Sequence, residues 1–430
     1  MATSAKLALL PFSNRDGSDD HDYLGVGMID EMLHALSWVD GLYLAPLTSS
    51  FRFPSQDADL PAVAERLGVD HLLKGDFQLA DDSLAISAQL VKPDGTVLWE
   101  ADYTGSKGQL QEHLDAVLQG IAEALGLDIR IASELSVSKA STTDSDAYDH
   151  YLHGLNFFRR YDVKNVEAAL KEFTAALKID REFARAWARL AECYAKYFMN
   201  YDSSRGEFAT KALDAARNAV KLAPDFARAH AALGTALMIN KELIEAEAAF
   251  EKAEETNPRL FDAWFQHARA CFQMGNLKKA AEKFERAGLV QPDDYQTPLL
   301  LRQVYLSLGK FDEAQAVARR GVQLARKHLE LNRKDARAIY LAAGSLIQLG
   351  QYREAIEWSE RALAVAPDDP MINYNVACCY AQAGEPEKAL DCLDKAKNSG
   401  LVSAAWLKRD SDLISLHDEP RFKQLLEELA

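Results

Sequence analysis

A spacing of about 34 residues recurs through the second half of the chain in several registers at once. Proline marks one register at Pro224, Pro258 and Pro292, which are evenly spaced. Alanine keeps the same step, and its positions are Ala212, Ala246, Ala280 and Ala314. A fixed period of this size predicts pairs of helices that stack on one another along the chain.

Each residue type in the repeat has a physical reason. Small side chains let two helices cross closely, and a bulky residue such as Phe250 or Phe284 fills the space between neighbouring pairs. Glycine at the turn within a pair supplies the positive φ that ends the first helix. These turn positions are Gly275, Gly309, Gly350 and Gly384. Proline ends the second helix because it cannot continue one.

One unit reproduces almost a whole known consensus. Its residues are Trp264, Ala268, Gly275, Ala280, Phe284, Ala287 and Pro292. The pattern resembles the tetratricopeptide repeat, and this resemblance implies an all-α solenoid wound as a right-handed superhelix. Seven units are predicted within 147–400, and they begin near residues 147, 184, 227, 261, 295, 336 and 370.

Three departures from the period carry further predictions. Trp187 and Ala212 lie farther apart than their counterparts in the consensus, so the first helix of the second unit or its turn is extended. The step from Ala314 to Ala355 exceeds the period by about seven residues, which predicts a second helix that continues by about two turns, through Leu329. Within 401–430, an N-cap at Asp418 followed by proline predicts a terminal capping helix.

Residues 1–128 mix strand and helix patterns. In chain order the predicted elements are strand Leu7–Phe12, helix Asp22–Val39, strand Leu42–Pro46, helix Asp59–Leu67, strands Asp70–Leu79, Leu84–Val91 and Thr96–Tyr103, and helix Leu110–Leu125. The last three strands form a meander. The pattern predicts an α/β or α+β domain with helices on a mixed five-stranded sheet. The Ser- and Thr-rich stretch 129–146 is predicted to be a flexible polar linker.

Four segments of this first domain occur in a characteristic order. They are Leu9–Phe12, Tyr23–Met28, Gly68–Gly75 and Asp94–Trp99. They resemble the TolB amino-terminal-like domain. In bacteria that domain commonly precedes tetratricopeptide repeats, in proteins that resemble class III adenylate cyclases and membrane-linked transcription activators. The resemblance implies a bacterial regulatory protein, but the chain shows no cyclase, kinase or winged-helix segment, so it implies no activity.

Charge is unevenly distributed. The net charge is −16, and residues 1–128 hold 21 acidic against 7 basic side chains, whereas the remainder holds 44 against 42. An acidic surface repels nucleic acid and anionic lipid, and no basic stripe with interleaved aromatics is present. The composition therefore disfavours nucleic-acid binding.

Compartment is predicted from what the sequence does not contain. No stretch approaches 18 uncharged apolar residues, so no membrane span is expected. The apolar start before Phe12 is too short for a secretory signal and is better explained as a strand. Five cysteines lack zinc-finger spacing and are expected to be buried thiols in a reducing cytoplasm: Cys193, Cys271, Cys378, Cys379 and Cys392.

Catalytic motifs are also lacking. No P-loop, GxSxG or HExxH pattern occurs, so no enzyme activity, cofactor or metal is predicted. Two weak candidates for a cation site are the acidic loop Asp16–Asp22 and the histidines His150 and His153 beside Asp149. A solvated loop and ordinary surface histidines are the favoured explanations, since the loop spacing is not that of an EF-hand and no third ligand accompanies the histidines.

The first helix of each unit lines the groove in this repeat family. Positions that face the groove carry a mixture of aromatic, basic and amide side chains, which is typical of peptide recognition. The predicted partner-binding residues are Arg185, Arg228, Phe265, Arg269, Phe272, Gln303, Arg337, Tyr340 and Tyr374. The competing explanation is that they are tolerated surface residues. The Lys and Asn pattern of the carboxylate clamp that some of these repeats use is absent.

The sequence thus predicts a non-enzymatic adaptor that binds a protein or peptide, with a regulatory or docking N-terminal domain. The alternative is a sensory subunit of a bacterial signalling system whose N-terminal domain binds a small ligand. A deep, partly apolar pocket in 1–128 would favour that sensor. A further hypothesis is that the acidic domain contacts the arginines of the solenoid through salt-sensitive charge pairing; the favoured explanation of its charge is solubility alone.

Overall fold

The structure is a computed structural model. It describes residues 5–17, 21–37, 39, 41–45, 50–51, 53, 59–127, 141–158, 163–201, 205–397 and 402–429. The chain divides into two compact units. The first unit comprises Met1–Cys193, Asp214–Leu233 and Glu251–Leu260, and the second comprises Tyr194–Leu213, Gly234–Phe250 and Phe261–Ala430.

A mixed sheet forms the start of the first unit. Its strands are β1 (Ala5–Leu9), β2 (Ser13–Asn14), β3 (Leu42–Leu44), β4 (His71–Ala80), β5 (Ser83–Val91) and β6 (Val97–Ser106). Their order is β3-β1-β4-β5-β6, and β2 pairs with β4 off this path. Strands β1 to β4 pair in parallel, whereas β4, β5 and β6 form the predicted antiparallel meander.

In the part of the chain that the structure describes, helices α1 (Asp22–Leu36), α2 (Leu60–Leu67) and α3 (Leu110–Ala124) accompany this sheet. Parallel strands need a crossover, and α1 and α2 supply the two that join β1, β3 and β4. On β5, Leu84, Ile86, Ala88 and Leu90 are buried, while Ala85, Ser87 and Gln89 between them are half-buried. The prediction of five strands was wrong: the described residues form six, because Ser13 and Asn14 pair with Asp76 and Phe77.

The described residues that follow form seven helix pairs. Their first helices are α4 (Ser145–Phe158), α6 (Ala184–Asn200), α8 (Ala227–Ile239), α10 (Phe261–Gln273), α12 (Gln296–Ser307), α14 (Ala336–Gln348) and α16 (Pro370–Gln382). Their second helices are α5 (Val163–Ile179), α7 (Gly206–Leu222), α9 (Leu243–Thr256), α11 (Leu277–Val290), α13 (Phe311–Leu331), α15 (Tyr352–Val365) and α17 (Pro386–Ala396). Each predicted starting residue lies at or next to a helix start, except the first, which falls just inside α4.

The sequence rules for the repeat hold at the atomic level. Ala246 and Ala280 are fully buried at their helix crossings. The four turn glycines have φ between 72° and 81°, in the left-handed region. Helix α13 is 21 residues long and passes through Leu329, as the long step from Ala314 predicts. Helix α6 is 17 residues long where α8 and α10 are 13, which supplies part of the extra length of the second unit.

The C-terminal segment ends in α18 (Ala404–Arg409), a 3-10 helix (Ser411–Leu416) and α19 (Pro420–Glu428). Phe422 and Leu425 of α19 are buried, as expected of a capping helix. The predicted N-cap was wrong: Glu419, not Asp418, precedes the first turn, and its side chain makes no capping hydrogen bond. Among the described residues, no helix is long and apolar enough to cross a membrane.

Most of the predicted linker, from 129 to 140, lies outside the described residues. Its C-terminal end is held in the first unit, since Gln111 Nε2 of α3 donates to Ser141 Oγ at 2.8 Å and to the Thr142 carbonyl at 3.0 Å. Asp144 then caps α4 by accepting from the backbone N–H of Ala147 at 3.0 Å. In the same unit α1 packs against α4, where a Cβ on Gly27 would approach Leu152 to 2.6 Å.

Candidate interaction surface

First helices of successive pairs touch one another in the second unit. Helix α12 contacts α14, and α14 contacts α16. Side chains on the shared side of these helices therefore form one continuous surface. The predicted groove residues fall into three groups there and in the first unit: arginines engaged by carboxylates, aromatic side chains in the core, and polar or aromatic side chains on the surface.

Arg185 departs from the prediction that it is open to a partner. Its Nη1 lies 2.6 Å from Oε2 of Glu31 on α1, and the two side chains are 4% and 1% exposed. Tyr148 and Tyr151 donate their hydroxyl hydrogens to the same carboxylate at 3.4 and 3.2 Å. Burial is the largest single influence and lowers the pKa of Arg185, but Glu31, Tyr151 and Tyr148 together raise that pKa above its ordinary value. Arg185 is thus occupied inside the chain.

Arg228 is engaged in the same unit. Its Nη1 lies 3.2 Å from Glu192, and Glu192 also pairs with Arg189 at 3.0 Å. Arg189 reaches Asp30 of α1 at 2.8 Å. These alternating charges continue the contact that Arg185 makes with α1. The positive charge of Arg228 is compensated by Glu192, so it contributes little to binding a partner.

The structure also corrects the prediction that Phe265 lines an open groove. This side chain is 4% exposed and packs edge-on against Phe284 with ring centroids 5.7 Å apart, so it belongs to the repeat core and not to an open groove. Phe272 is only half-buried and lies beside the same hydrophobic cluster. Gln303 is exposed on α12. Of these three side chains, Phe272 and Gln303 remain accessible to a partner.

Arg269, Arg337 and Tyr340 come together on the second unit. Arg337 Nη1 donates to the Tyr340 hydroxyl at 3.2 Å, and its Nε donates to Gln296 at 2.7 Å. Arg269 donates to Gln266 at 3.0 Å. Burial, and after it the nearby Arg337 cation, lowers the pKa of Arg269 to about 10. We call Arg269, Arg337 and the Tyr340 hydroxyl the arginine surface, while the Tyr340 side chain itself is 6% exposed and belongs to the hydrophobic core.

Tyr374 on α16 is tied to the C-terminal segment. Its hydroxyl donates to Asp410 and accepts from Trp406 Nε1 at 2.5 Å. Trp406 is 58% exposed, although it meets the Tyr374 ring edge-on. The tyrosine is therefore a fixed part of this surface.

Sequence reasoning missed Arg302. It stands at the eighth position of its repeat, where the other six repeats have a small residue: Gly154, Ala191, Gly234, Ala268, Ala343 and Ala377. Arg302 donates to Gln348 at 2.9 Å, and its Nε is buried without a hydrogen-bond partner. A large cation at a small-residue position is the signal that could have revealed it.

Cys378, Asp410 and Asp412 are the one group of three possible metal ligands in the described part of the chain, with ligand atoms within 4.8 Å of one another. Burial, followed by the charge of Asp410, raises the pKa of the Cys378 thiol. A metal binds the thiolate, so a raised thiol pKa works against this use. The predicted surface histidines are engaged otherwise: His150 lies 2.7 Å from Glu172, and His153 stacks on Tyr23.

The N-terminal domain carries a concavity of about 480 Å³ on its sheet. Polar and charged side chains of β4, β5 and β6 line it, among them Lys74, Asp76, Gln89 and Glu100. Arg15 pairs with Asp76 at 2.5 Å across its floor. This is not the partly apolar pocket that the small-ligand alternative expects. Residues 18–20 of the acidic loop lie outside the described part of the chain.

Family models match the repeats. Models described as "Tetratricopeptide repeat" match residues 205–260, 245–294 and 346–408. A model described as "Anaphase-promoting complex, cyclosome, subunit 3" matches residues 287–358. The chain therefore contains tetratricopeptide repeats.

Similar proteins share about half of this chain. "Putative adenylate cyclase 3" of Rhizobium meliloti (strain 1021) is 27% identical over 247 residues, which cover 56% of this chain and 42% of that protein. Anaphase-promoting complex subunit 3 of Schizosaccharomyces pombe is 22% identical over 234 residues, 54% of this chain and 33% of that protein. The chain thus spans less than half the length of these relatives. A thermophilic TPR protein of Thermus thermophilus is 22% identical, covers 45% of this chain and 98% of its own, and superposes with a TM-score of 0.37.

Proposed function

We propose that this chain, an array of tetratricopeptide repeats following a mixed-sheet domain, is a non-enzymatic adaptor that binds a peptide segment of another protein. One observation supports this most. The first helices α12, α14 and α16 touch in succession and carry aromatic, basic and amide side chains on their shared surface. The residues proposed to bind, on these three helices and on α10, are Arg269, Phe272, Gln303, Arg337, the Tyr340 hydroxyl and Tyr374.

The domain assignment is part of the proposal. Residues 1–128 act as a docking or regulatory module of the TolB amino-terminal-like type, 129–146 connect it to the repeats of 147–400, and 401–430 cap the array. Contacts of α1 with Arg185 and Arg189 support a docking role, because they hold this domain on the first repeats. The open, polar concavity on the sheet does not offer the partly apolar pocket that a small-ligand sensor would need.

Site-specific photo-crosslinking tests the surface. Gln303 on α12 and Gln315 on α13 are both exposed, but only Gln303 belongs to the proposed surface. Each is replaced in turn by p-benzoylphenylalanine, and adducts formed in cells are identified by mass spectrometry. We expect a discrete adduct from position 303 that position 315 does not give. Equal labelling at both positions, or none at 303, would contradict the proposal.

A further inference from the structure

We propose that the arginine surface binds an acidic segment of the partner, with a carboxylate seated between Arg269 and Arg337 and beside the Tyr340 hydroxyl. The inference rests on the proposed function and names the chemistry of the peptide. It also assigns the anchoring role to residues outside the Lys and Asn pattern of the carboxylate clamp.

Arg269 is the central residue of the proposed site. It is half-buried on α10, and within the described residues its one hydrogen bond is to the neutral amide of Gln266. Among those residues its guanidinium has no hydrogen bond or ion pair to a carboxylate, and the charge on Arg337 opposes its own. A guanidinium that loses water without gaining an anion is destabilised. A bound carboxylate would restore the missing partner.

The acidic groups that act on Tyr340 are already in use. Asp335 and Asp369 act on Tyr340, but Asp335 accepts from Tyr295 at 3.1 Å and lies 2.8 Å from His328. Asp369 caps α16 by accepting from the Ile372 N–H at 3.0 Å. Both carboxylates are therefore fixed by other groups. The charge of Arg269 remains for a ligand from outside.

The first unit shows how this chain usually accommodates a buried arginine. Arg185 has Glu31, and Arg189 has both Asp30 and Glu192. In each case a carboxylate accompanies the guanidinium into the protein. Arg269 has no such carboxylate partner. It is therefore a candidate anion-binding residue, whereas Arg185 and Arg189 form internal ion pairs. A planar guanidinium is also the group best suited to bind a carboxylate through two hydrogen bonds.

Selection from a random dodecapeptide library displayed on phage tests the inference with the full chain. The baits are the wild-type protein, Arg269→Gln, Arg337→Gln and the control Arg353→Gln, whose side chain is 95% exposed on α15. All three variants lose one positive charge. Circular dichroism and thermal melting check that each is folded. Binding of selected peptides is then measured at low and high salt.

We expect wild-type and Arg353→Gln selections to be enriched in Asp and Glu. Loss of a charged hydrogen bond at Arg269 should weaken binding of those peptides by about 10- to 100-fold. Changing the acidic residue of a selected peptide to its amide should weaken binding to the wild type by the same factor. The same change should not weaken binding to Arg269→Gln any further.

Two results would overturn the inference in distinguishable ways. Peptides without acidic bias, or acidic peptides whose binding survives both Arg269→Gln and Arg337→Gln, would refute the carboxylate site and leave the adaptor proposal standing. Failure of the wild type to enrich any peptide would contradict both proposals. Inorganic phosphate is tested as a competitor, and complete displacement at millimolar concentration would show a simple anion site instead.

Discussion

The arginines of the first helices differ in the side chains that pair with them. Arg185 and Arg228 have carboxylates within 2.6 and 3.2 Å, whereas Arg269 and Arg302 have only amide partners within hydrogen-bond distance. Repeat position placed Arg185, Arg228 and Arg269 together as groove residues, but it could not distinguish them. The distinction depends on partners in other elements, Glu31 of α1 for Arg185 and Glu192 of α6 for Arg228, and no local pattern encodes either contact.

Phe265 shows that repeat position is equally unable to distinguish buried from accessible apolar side chains. Its helix has aromatic residues on more than one side, and both Phe265 and Phe272 occupy positions that face the groove in other repeats. The structure buries one against Phe284 and leaves the other half-buried. Packing between neighbouring pairs decides this, and the repeat period does not report it.

His34 on α1 supplies a pH prediction. Its Nδ1 is buried without a hydrogen-bond partner, and its ring meets Phe226 edge-on. Burial, and then the charges of Arg228, Arg185 and Arg189, holds the pKa of His34 well below its ordinary value, although Asp30 opposes them. The folded state therefore keeps this ring neutral where the unfolded chain takes up a proton below a pKa of about 6.5.

Stability should consequently fall as the pH falls from 7 to 5.5. The contribution of His34 to this loss is about 1 kcal/mol. His34→Gln removes it, so its urea-unfolding free energy should change less with pH than that of the wild type. Between pH 7.5 and 8.5 the two proteins should differ by a constant amount. Parallel curves over the whole range down to pH 5.5 would disprove the role of His34.

Helices and turns were the most predictable elements. Gly275 shows why: it has φ of 74°, a conformation that glycine adopts without strain, so its position reports the turn directly. The long α13 followed from counting residues. Strand β2 was missed because two residues, Ser13 and Asn14, show no alternation and pair only when β4 is beside them.

The helix crossing at Ala280 gives a prediction at this scale. Ala280 is fully buried within the cluster that includes Phe284 and Trp264, so Ala280→Leu should overpack the crossing. We expect a loss of about 1–3 kcal/mol in unfolding free energy. The matched control is Ala248→Leu on α9, an exposed position where the change should stay within about 0.5 kcal/mol. Equal melting temperatures for Ala280→Leu and the wild type would refute the assigned register.

At the scale of the whole molecule, the sequence predicts a charged, salt-sensitive contact of the acidic domain with the repeats. The contacts of the first unit have another character. Glu31 and Arg185 are nearly inaccessible to solvent, and Gly27 fits closely against Leu152. Salt screens exposed charges far more than buried ones. Composition revealed the acidic domain, but only the packing shows how deeply its charges are buried.

Separate fragments test this contact. We expect fragment 1–128 to bind fragment 141–430, which keeps the cap at Asp144, with an affinity that changes little between 50 and 500 mM salt (roughly the range over which the screening length shrinks severalfold). Gly27→Val should abolish binding, because even a Cβ at this position would approach Leu152 to 2.6 Å. Calorimetry measures both. A steep loss of affinity with salt would restore the electrostatic explanation.

The hydrogen bond from Arg259 to the carbonyl oxygen of Val39 joins residues 220 positions apart in the first unit. A ribosome adds about 5–20 residues per second, so roughly 10–45 seconds pass between the synthesis of these two residues. During that interval α1 has left the ribosome, but Arg185, Arg189 and Arg259 are still to come. The part of the protein that is made first must therefore wait longest for its own completion.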